Sequence, residues 1–264
     1  MSRFQNKIVC ITGASSGIGE GLAYAFANEG AKLILLARNG GKLSAVKAAC
    51  KDPSQVEIHS IDLSDYKEID SQMSSVLDTY GPIDILVNNA GISQRTTVAE
   101  STLAVDEKIM NLNYFGVVAL TRLILPSMIT RSTGHLVVIS SLAGYISTSH
   151  RSAYAASKHA VRAWFDSLRS EVFKDNIHVT VVCPGYIRTN ISVNAMNGSA
   201  EGYGKMDANQ ENGMAVEECS NHILNAIADK KSEILIGGKE KKFVLMRRLF
   251  PKMVEKKLRT LIPK

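Results

Sequence analysis

Seven short, β-branched apolar runs recur along the chain, separated by longer segments of helical periodicity. This alternation restricts the fold more than any other feature. The runs are KIVCIT (7–12), AKLILLA (31–37), QVEIHSI (55–61), IDILVNN (83–89), HLVVIS (135–140), IHVTVVC (177–183) and EILIG (233–237). Most are apolar on both faces, as a strand covered from both sides must be. Helical patterns fit between them at 17–29, 64–79, 101–131 and 151–174. Strands joined through helices pair in parallel by right-handed crossovers, which places helices on both faces of one sheet. The chain has 264 residues, with no long linker and no repeat. The expectation is a single doubly wound α/β domain over residues 1–240, built on a parallel sheet of about seven strands, followed by a distinct tail over 241–264.

Composition narrows the function classes. At 45% hydrophobic and 21% charged residues, the chain reads as an ordinary folded protein with a sizeable core. Its four cysteines show no C-x-x-C or zinc spacing, so no metal site is expected. Cys10 and Cys183 lie inside apolar runs and read as small core residues of a reducing compartment. No stretch approaches about 18 consecutive apolar residues, so no transmembrane helix is expected. The opening MSRFQNK is short and polar for a secretory leader. A cytoplasmic protein is the expectation. The charge is uneven. Residues 239–264 hold ten Lys or Arg against two Glu, a local balance of +8 in a chain of net +6, which leaves −2 for the body. A nucleic-acid-binding role loses its support on that count.

The polar motifs fall at strand ends. TGASSGIG (12–19) follows the first run and opens a helix. Gly13, Gly17 and Gly19 permit a tight turn and a close approach of pyrophosphate to the backbone, and the helix N-terminus adds free N–H groups and a positive dipole end. The second run ends in LLARN, with Ala37 and Arg38 where an acid often holds the adenosine ribose. An arginine fork there suits a 2′-phosphate, and with it NADP(H). Asp62, after the third run, is placed either to meet the adenine edge or to cap a helix starting near Ser64. VNNAG (87–91) closes the fourth run, ISS (139–141) the fifth and CPGYIRT (183–189) the sixth. In SAYAASKHA (152–160) a phenol, Tyr154, precedes an ammonium, Lys158, by four residues on one helix face. With 8 tyrosines and 19 lysines in the chain, such a pair arises readily by chance, so its meaning rests on the motifs around it.

Together these motifs resemble the short-chain dehydrogenase/reductase family. The matching elements are T-G-x-x-x-G-x-G at 12–19, N-N-A-G at 88–91, N-x-x-G at 113–116, Ser141, Y-x-x-x-K at 154–158 and P-G at 184–185. They keep the family's order over about residues 5–240, and the wording around Tyr154 is most similar to the hydroxysteroid-dehydrogenase and member-7-like reductases. The resemblance implies a Rossmann-type domain, NADP(H) as cofactor, and hydride exchange between nicotinamide and a carbonyl or alcohol carbon. It implies Tyr154 as general acid–base, Ser141 on the substrate oxygen, Lys158 holding the nicotinamide ribose and lowering the tyrosine pKa, and Asn113 anchoring a proton-relay water. The implied cofactor site joins Gly13, Ser15, Ser16, Gly17, Ile18, Gly19, Arg38, Asp62, Leu63, Asn89, Ala90, Gly91, Tyr154, Lys158, Pro184, Gly185, Ile187 and Thr189. It further implies a homodimer or homotetramer contacting through the 151–174 region, where Trp164, Phe165, Leu168 and Phe173 read as core or subunit contacts. A cofactor-binding regulator with vestigial catalysis is the competing function, although it would not need the catalytic positions filled.

Two segments stand apart. Residues 190–215 are glycine-rich and read as a lid over the substrate, with Met196, Tyr203, Met206 and Met214 as its apolar lining and a hydrophobic carbonyl or alcohol beneath. The tail places Met246, Leu249, Phe250, Met253, Leu258 and Leu261 near helical spacing, with cations largely elsewhere and Pro251 able to kink or restart a helix. Such a stripe either docks on its own fold or a sister subunit, or makes a peripheral membrane contact.

Overall fold

A computed structural model describes residues 2–259, so Leu261 lies outside the described residues. The strands are β1 (Ile8–Thr12), β2 (Lys32–Ala37), β3 (Val56–Ser60), β4 (Ile85–Asn88), β5 (Gly134–Ile139), β6 (Ile177–Pro184) and β7 (Glu233–Ile236). They form one sheet in the order β3-β2-β1-β4-β5-β6-β7, with every pairing parallel. The winding direction reverses between β1 and β4, which opens a crevice at the carboxyl ends of those strands.

Around the sheet run α1 (Gly17–Asn28), α2 (Gly40–Ala49), α3 (Ile69–Tyr80), α4 (Leu103–Met110), α5 (Gly116–Arg131), α6 (Ser152–Glu171), α7 (Ala208–Glu211), α8 (Val216–Ala228), α9 (Lys242–Leu249) and α10 (Pro251–Leu258). Alternate strand residues point to opposite faces. Val9, Ile11, Leu33 and Leu35 pack with Leu22 and Phe26 of α1 and Ile223 and Ile227 of α8. Cys10, Ile34 and Leu36 pack on the other face with Met73 of α3, Leu120 and Ile124 of α5, and Phe165 and Leu168 of α6. All four cysteines are buried and unpaired.

The 101–131 helix is interrupted. One π-helical turn, Asn111–Phe115, joins α4 to α5. Its end is fixed by close approach, since a Cβ at Gly116 would stand 2.2 Å from the Leu63 carbonyl oxygen. The 103–131 stretch is long and apolar enough by composition to cross a membrane, with mean hydropathy 1.5. In this fold its Val117, Leu120, Ile124 and Met128 are buried against the sheet. The helix expected from 64 begins instead at Ile69, after a 3-10 turn over Tyr66–Glu68. Phe165 and Leu168 are core residues as read, Trp164 packs against them, and Phe173 is exposed.

Candidate active site

The cleft is built on the first turn. Gly13 takes φ +63°, and a Cβ there would meet the Ala90 Cα at 2.8 Å. The turn therefore lies directly against the end of β4. Thr12 fastens the two: its Oγ1 accepts from the backbone N–H groups of Asn89 and Ala90 at 2.9 Å, and Asn89 Nδ2 donates to the Thr12 and Gly13 carbonyls. Ser16 caps α1 without a side-chain bond to its first turn. The helix thus presents its free N–H groups and positive end at the cleft wall formed by Ser15, Ser16, Gly17 and Ile18. Gly19 lies beneath the turn, where a Cβ would stand 2.4 Å from the Gly13 oxygen.

Arg38 and Asp62 close the far end, at the tips of β2 and β3. Arg38 Nη1 lies 3.9 Å from Asp62 Oδ2, and both side chains are largely exposed. Asp62 Oδ1 accepts from the Ser64 N–H at 2.9 Å and from its hydroxyl at 2.6 Å. This is a local turn ahead of the 3-10 segment; α3 starts five residues further on. Lys42 of α2 also lines this end, beside Arg38, Asn39, Gly40, Asp62 and Leu63.

At the other end stand Ser141, Tyr154 and Lys158. Ser141 follows β5; its hydroxyl donates to the Pro184 carbonyl at 3.3 Å, accepts from Ala143 N–H at 3.1 Å, and hydrogen-bonds the Tyr154 phenol. Its neighbour Ser140 is turned away and donates to the Lys158 carbonyl at 2.9 Å. Asn113 sits behind the cleft on the π-turn. Its Oδ1 accepts from Ile92 N–H at 2.9 Å, and its Nδ2 donates to the Ile92 carbonyl at 2.9 Å and to Ser157 at 3.0 Å. The side chain thereby ties the end of β4 to α6. Pro184, Gly185, Ile187 and Thr189 border the cleft after β6.

Burial raises the Tyr154 phenol above its ordinary value, opposed by the Ser141 hydrogen bond and by the charges of Arg151 and Arg95. Lys158 stands one helical turn on, on the same face of α6. Its ammonium donates to the Ile139 carbonyl at 2.8 Å and stands 5.9 Å from the centre of the Tyr154 ring. Burial lowers Lys158 itself from 10.5 to about 8. Desolvation, acting on both groups at once, is the larger effect here.

The cleft encloses about 1400 Å³ and runs from Arg38 to the 190–215 segment and α9–α10. That length and volume accommodate a dinucleotide with a substrate beyond it. The bare glycine turn, the uncapped α1 terminus and the cation-lined far end fit its pyrophosphate and ribose. The substrate end is lined by Leu142, Ile146, Tyr186, Ile191, Val193 and Phe243. The methionine lining expected of the 190–215 segment is not found. Met196 packs with Val105 and Ile109, Met214 joins the core beside α1, Met206 is exposed, and Tyr203 does not line the cleft. The segment is pinned by backbone bridges between Gln94 and Met196, Ile187 and Met214, and Met196 and Gly202. These direct Met196 and Met214 into the protein rather than the cleft, while Met206 faces outward.

Sequence reasoning passed over Arg95, Arg151 and Asp207, which meet beside Tyr154. The one available signal was Arg151, a single helical turn before Tyr154. Among the described residues no group of three or more His, Cys, Asp or Glu is placed to hold a metal ion.

Fold and cleft together define a class: a dinucleotide-dependent α/β oxidoreductase. The sequence profile of short chain dehydrogenase matches residues 7–200. Dehydrogenase/reductase SDR family member 7B of Mus musculus is 44% identical over 88% of this chain and 73% of its own length. Dehydrogenase/reductase SDR family protein 7-like of Anopheles gambiae is 46% identical over 88% of this chain and 75% of its own. Among solved structures, a Burkholderia phymatum short chain dehydrogenase/reductase in complex with NAD superimposes with a TM-score of 0.83 at 23% identity, covering 96% of both chains. A metagenomic short-chain oxidoreductase in complex with NADP gives 0.73 at 27% identity, over 89% of this chain and 98% of its own. The chain belongs to the short-chain dehydrogenase/reductase family, of the member-7 type, and is an oxidoreductase that works with a nicotinamide dinucleotide.

Proposed function

We propose that the protein is an NADP(H)-dependent carbonyl reductase or alcohol dehydrogenase for a hydrophobic carbonyl or secondary alcohol. The observation that carries this reading is the convergence of Ser141, Tyr154 and Lys158 at one end of the cleft whose other end holds Arg38. When bound, the nicotinamide supplies hydride in reduction and accepts it in oxidation. Tyr154 gives its phenolic proton to the substrate oxygen in reduction and takes it back in oxidation. Ser141 donates to the same oxygen and stabilises the charge that develops there. Lys158 holds the nicotinamide ribose, and Thr189 orients the carboxamide. Asn113 acts as a positioning residue through Ile92 and Ser157, with the relay water at its backbone. Arg38, joined by Lys42, pairs with the 2′-phosphate. Leu142, Ile146, Ile191, Val193 and Phe243 favour an apolar substrate body. Turnover on a carbonyl panel with NADPH and NADH, parent against Tyr154→Phe, tests the reading. A panel with no turnover above the variant would leave a regulator instead.

The proposal extends to assembly and location. The enzyme works as a homodimer or homotetramer in the cytoplasm, with its tail resting on a membrane. Val254 of α10 is buried, Val244 of α9 packs on the core, and Phe243, Lys257 and Leu258 border the cleft. Leu245, Leu249, Phe250 and Met253 are exposed, with Arg247, Arg248 and Lys252 exposed near them. Pro251 restarts the helix between the two halves. An apolar edge flanked by cations at the mouth of an apolar cleft suits an anionic lipid surface.

A further inference from the structure

Beside Tyr154, one carboxylate oxygen holds two arginines. Asp207 Oδ2 accepts from Arg95 Nη2 at 2.5 Å and Nε at 2.9 Å, and from Arg151 Nη2 at 3.1 Å. The side chains of Arg95 and Asp207 are each 4% exposed, and that of Arg151 is 13% exposed. Arg95 is held further by Ser93 Oγ and the Gln94 carbonyl. Arg151 Nε is buried and finds no partner among the described residues. Two guanidiniums against one carboxylate leave a net positive charge in a wall nearly free of water. Such a charge is expensive to bury and acts strongly on its neighbours.

The three residues arrive from separate elements. Arg95 lies in the loop after β4, Arg151 at the N-terminal edge of α6, one turn ahead of Tyr154, and Asp207 at the N-terminal edge of α7 within the 190–215 segment. Among the described residues, the ion pairs of that segment all run through Asp207. Three residues on, Gln210 Nε2 bonds the Ile187 carbonyl and Thr189 Oγ1. One short helix therefore touches both the cofactor strand end and the catalytic helix.

We infer that Arg95, Arg151 and Asp207 form a latch that ties the 190–215 segment to the start of α6 and sets the charge acting on the Tyr154 phenol. This rests on the reading of Tyr154 as general acid–base. With Asp207 seated, one guanidinium charge is neutralised and the excess charge favours phenolate. With Asp207 withdrawn, both cations act on the phenol. Burial opposes them, with Cys183 of β6 nearby as a neutral thiol, while Arg151 and Arg95 pull the phenol down. The remaining groups around it are the Ser141 hydroxyl, Lys158 on α6, and Tyr186, which acts on Arg151. Arg95, Arg151 and Asp207 are positioning residues that act through the Tyr154 phenol, and Arg95 and Arg151 border the cleft beside it.

The signs give a test that a purely structural role would fail. The kcat/KM profile against pH is measured on the full chain with NADP(H) for the parent, Asp207→Asn, Arg151→Gln and Arg151→Lys, each checked for folding by circular dichroism. The limb that Tyr154→Phe abolishes is expected to move down by about half a pH unit or more in Asp207→Asn and up by a similar amount in Arg151→Gln, and to stay near the parent in Arg151→Lys. Shifts in one common direction, or no shift in either charge-changing variant, overturn the latch alone. Near-parent turnover in Tyr154→Phe overturns the reading of Tyr154 and the latch with it. Should Asp207→Asn not fold, the two Arg151 variants decide: a raised limb in the glutamine variant and a parental one in the lysine variant support the latch, and equal limbs overturn it.

Discussion

Lys158 and Tyr154 lie one turn apart on α6, yet the Lys158 ammonium is bonded to the Ile139 carbonyl at 2.8 Å and stands 5.9 Å from the centre of the phenol ring. The lysine charge is anchored to the end of β5. The charges of Arg95 and Arg151 also act on Tyr154 and favour phenolate.

That burial has a consequence for stability. Folded Lys158 loses its proton near pH 8, whereas the unfolded chain holds it to 10.5. Between these values the unfolded state binds more protons, so stability rises with pH across that window. Below pH 8 the full penalty opposes folding, on the order of 3 kcal/mol. Lys158→Met removes the penalty together with the Ile139 hydrogen bond. The parent is expected to gain stability relative to the variant as pH rises from about 8 to 10.5, read by urea unfolding at stepped pH. A constant difference across that range means that the ammonium is not destabilised.

Tyr154→Phe keeps a ring that is only 7% exposed and removes the phenolic proton. Turnover is expected to fall at least about 100-fold, with NADPH affinity within a few-fold of the parent. Stopped-assay rates and fluorescence titration separate the two quantities. A variant that keeps parental turnover rules out the phenol as the acid.

The proposed preference for NADP(H) rests on Arg38. Its pairing with Asp62 at 3.9 Å is exposed, and exposed pairs contribute little, so the guanidinium is available to a 2′-phosphate. NADPH is expected to bind at least about tenfold tighter than NADH, a preference that needs only about 1.4 kcal/mol. Arg38→Asp reverses the order. Equal affinities in the parent at one salt concentration defeat the assignment.

The strands were legible because residues such as Val9, Cys10 and Ile11 are apolar on both faces, which few structures but a covered parallel sheet accept. α2 was not, since it opens on Gly40-Gly41 and buries only Leu43 and Val46. The π-turn at Asn111–Phe115 left no trace in composition, because it consists of residues an α-helix also accepts. Within the candidate site, spacing pointed to residues but not to their bonds. It put Tyr154 and Lys158 on one face, and only the fold revealed which carbonyl takes the ammonium. The role of Asp207 depends on two arginines 112 and 56 residues away in sequence, a distance over which no periodicity carries information. The methionines of 190–215 suggested a cleft lining by their chemistry, but backbone bridging turned Met196 and Met214 inward and Met206 is exposed.

The tail can be tested without disturbing the cleft. Deleting it would uncover Val254 and remove Phe243 from the cleft wall, so loss of binding would be ambiguous. Leu249, Phe250 and Met253 are exposed and bury little that the fold needs. The variant Leu249→Ser, Phe250→Ser, Met253→Ser should therefore retain the parent's melting temperature and turnover on a soluble substrate. Each cation beside a negatively charged surface contributes about 1 kcal/mol, screened by salt, and each inserted apolar side chain adds to it. The parent is expected to sediment with vesicles containing anionic phospholipid, to ignore neutral vesicles, and to be released as salt rises. The triple variant should bind at least about tenfold more weakly, and Arg247→Gln, Arg248→Gln should weaken binding at low salt and flatten its dependence on salt. A parent that stays in the supernatant with anionic vesicles at low salt excludes the membrane contact. The tail is then structural, and a change of oligomeric state in the triple variant, read in the same preparation, would assign its apolar edge to a second subunit.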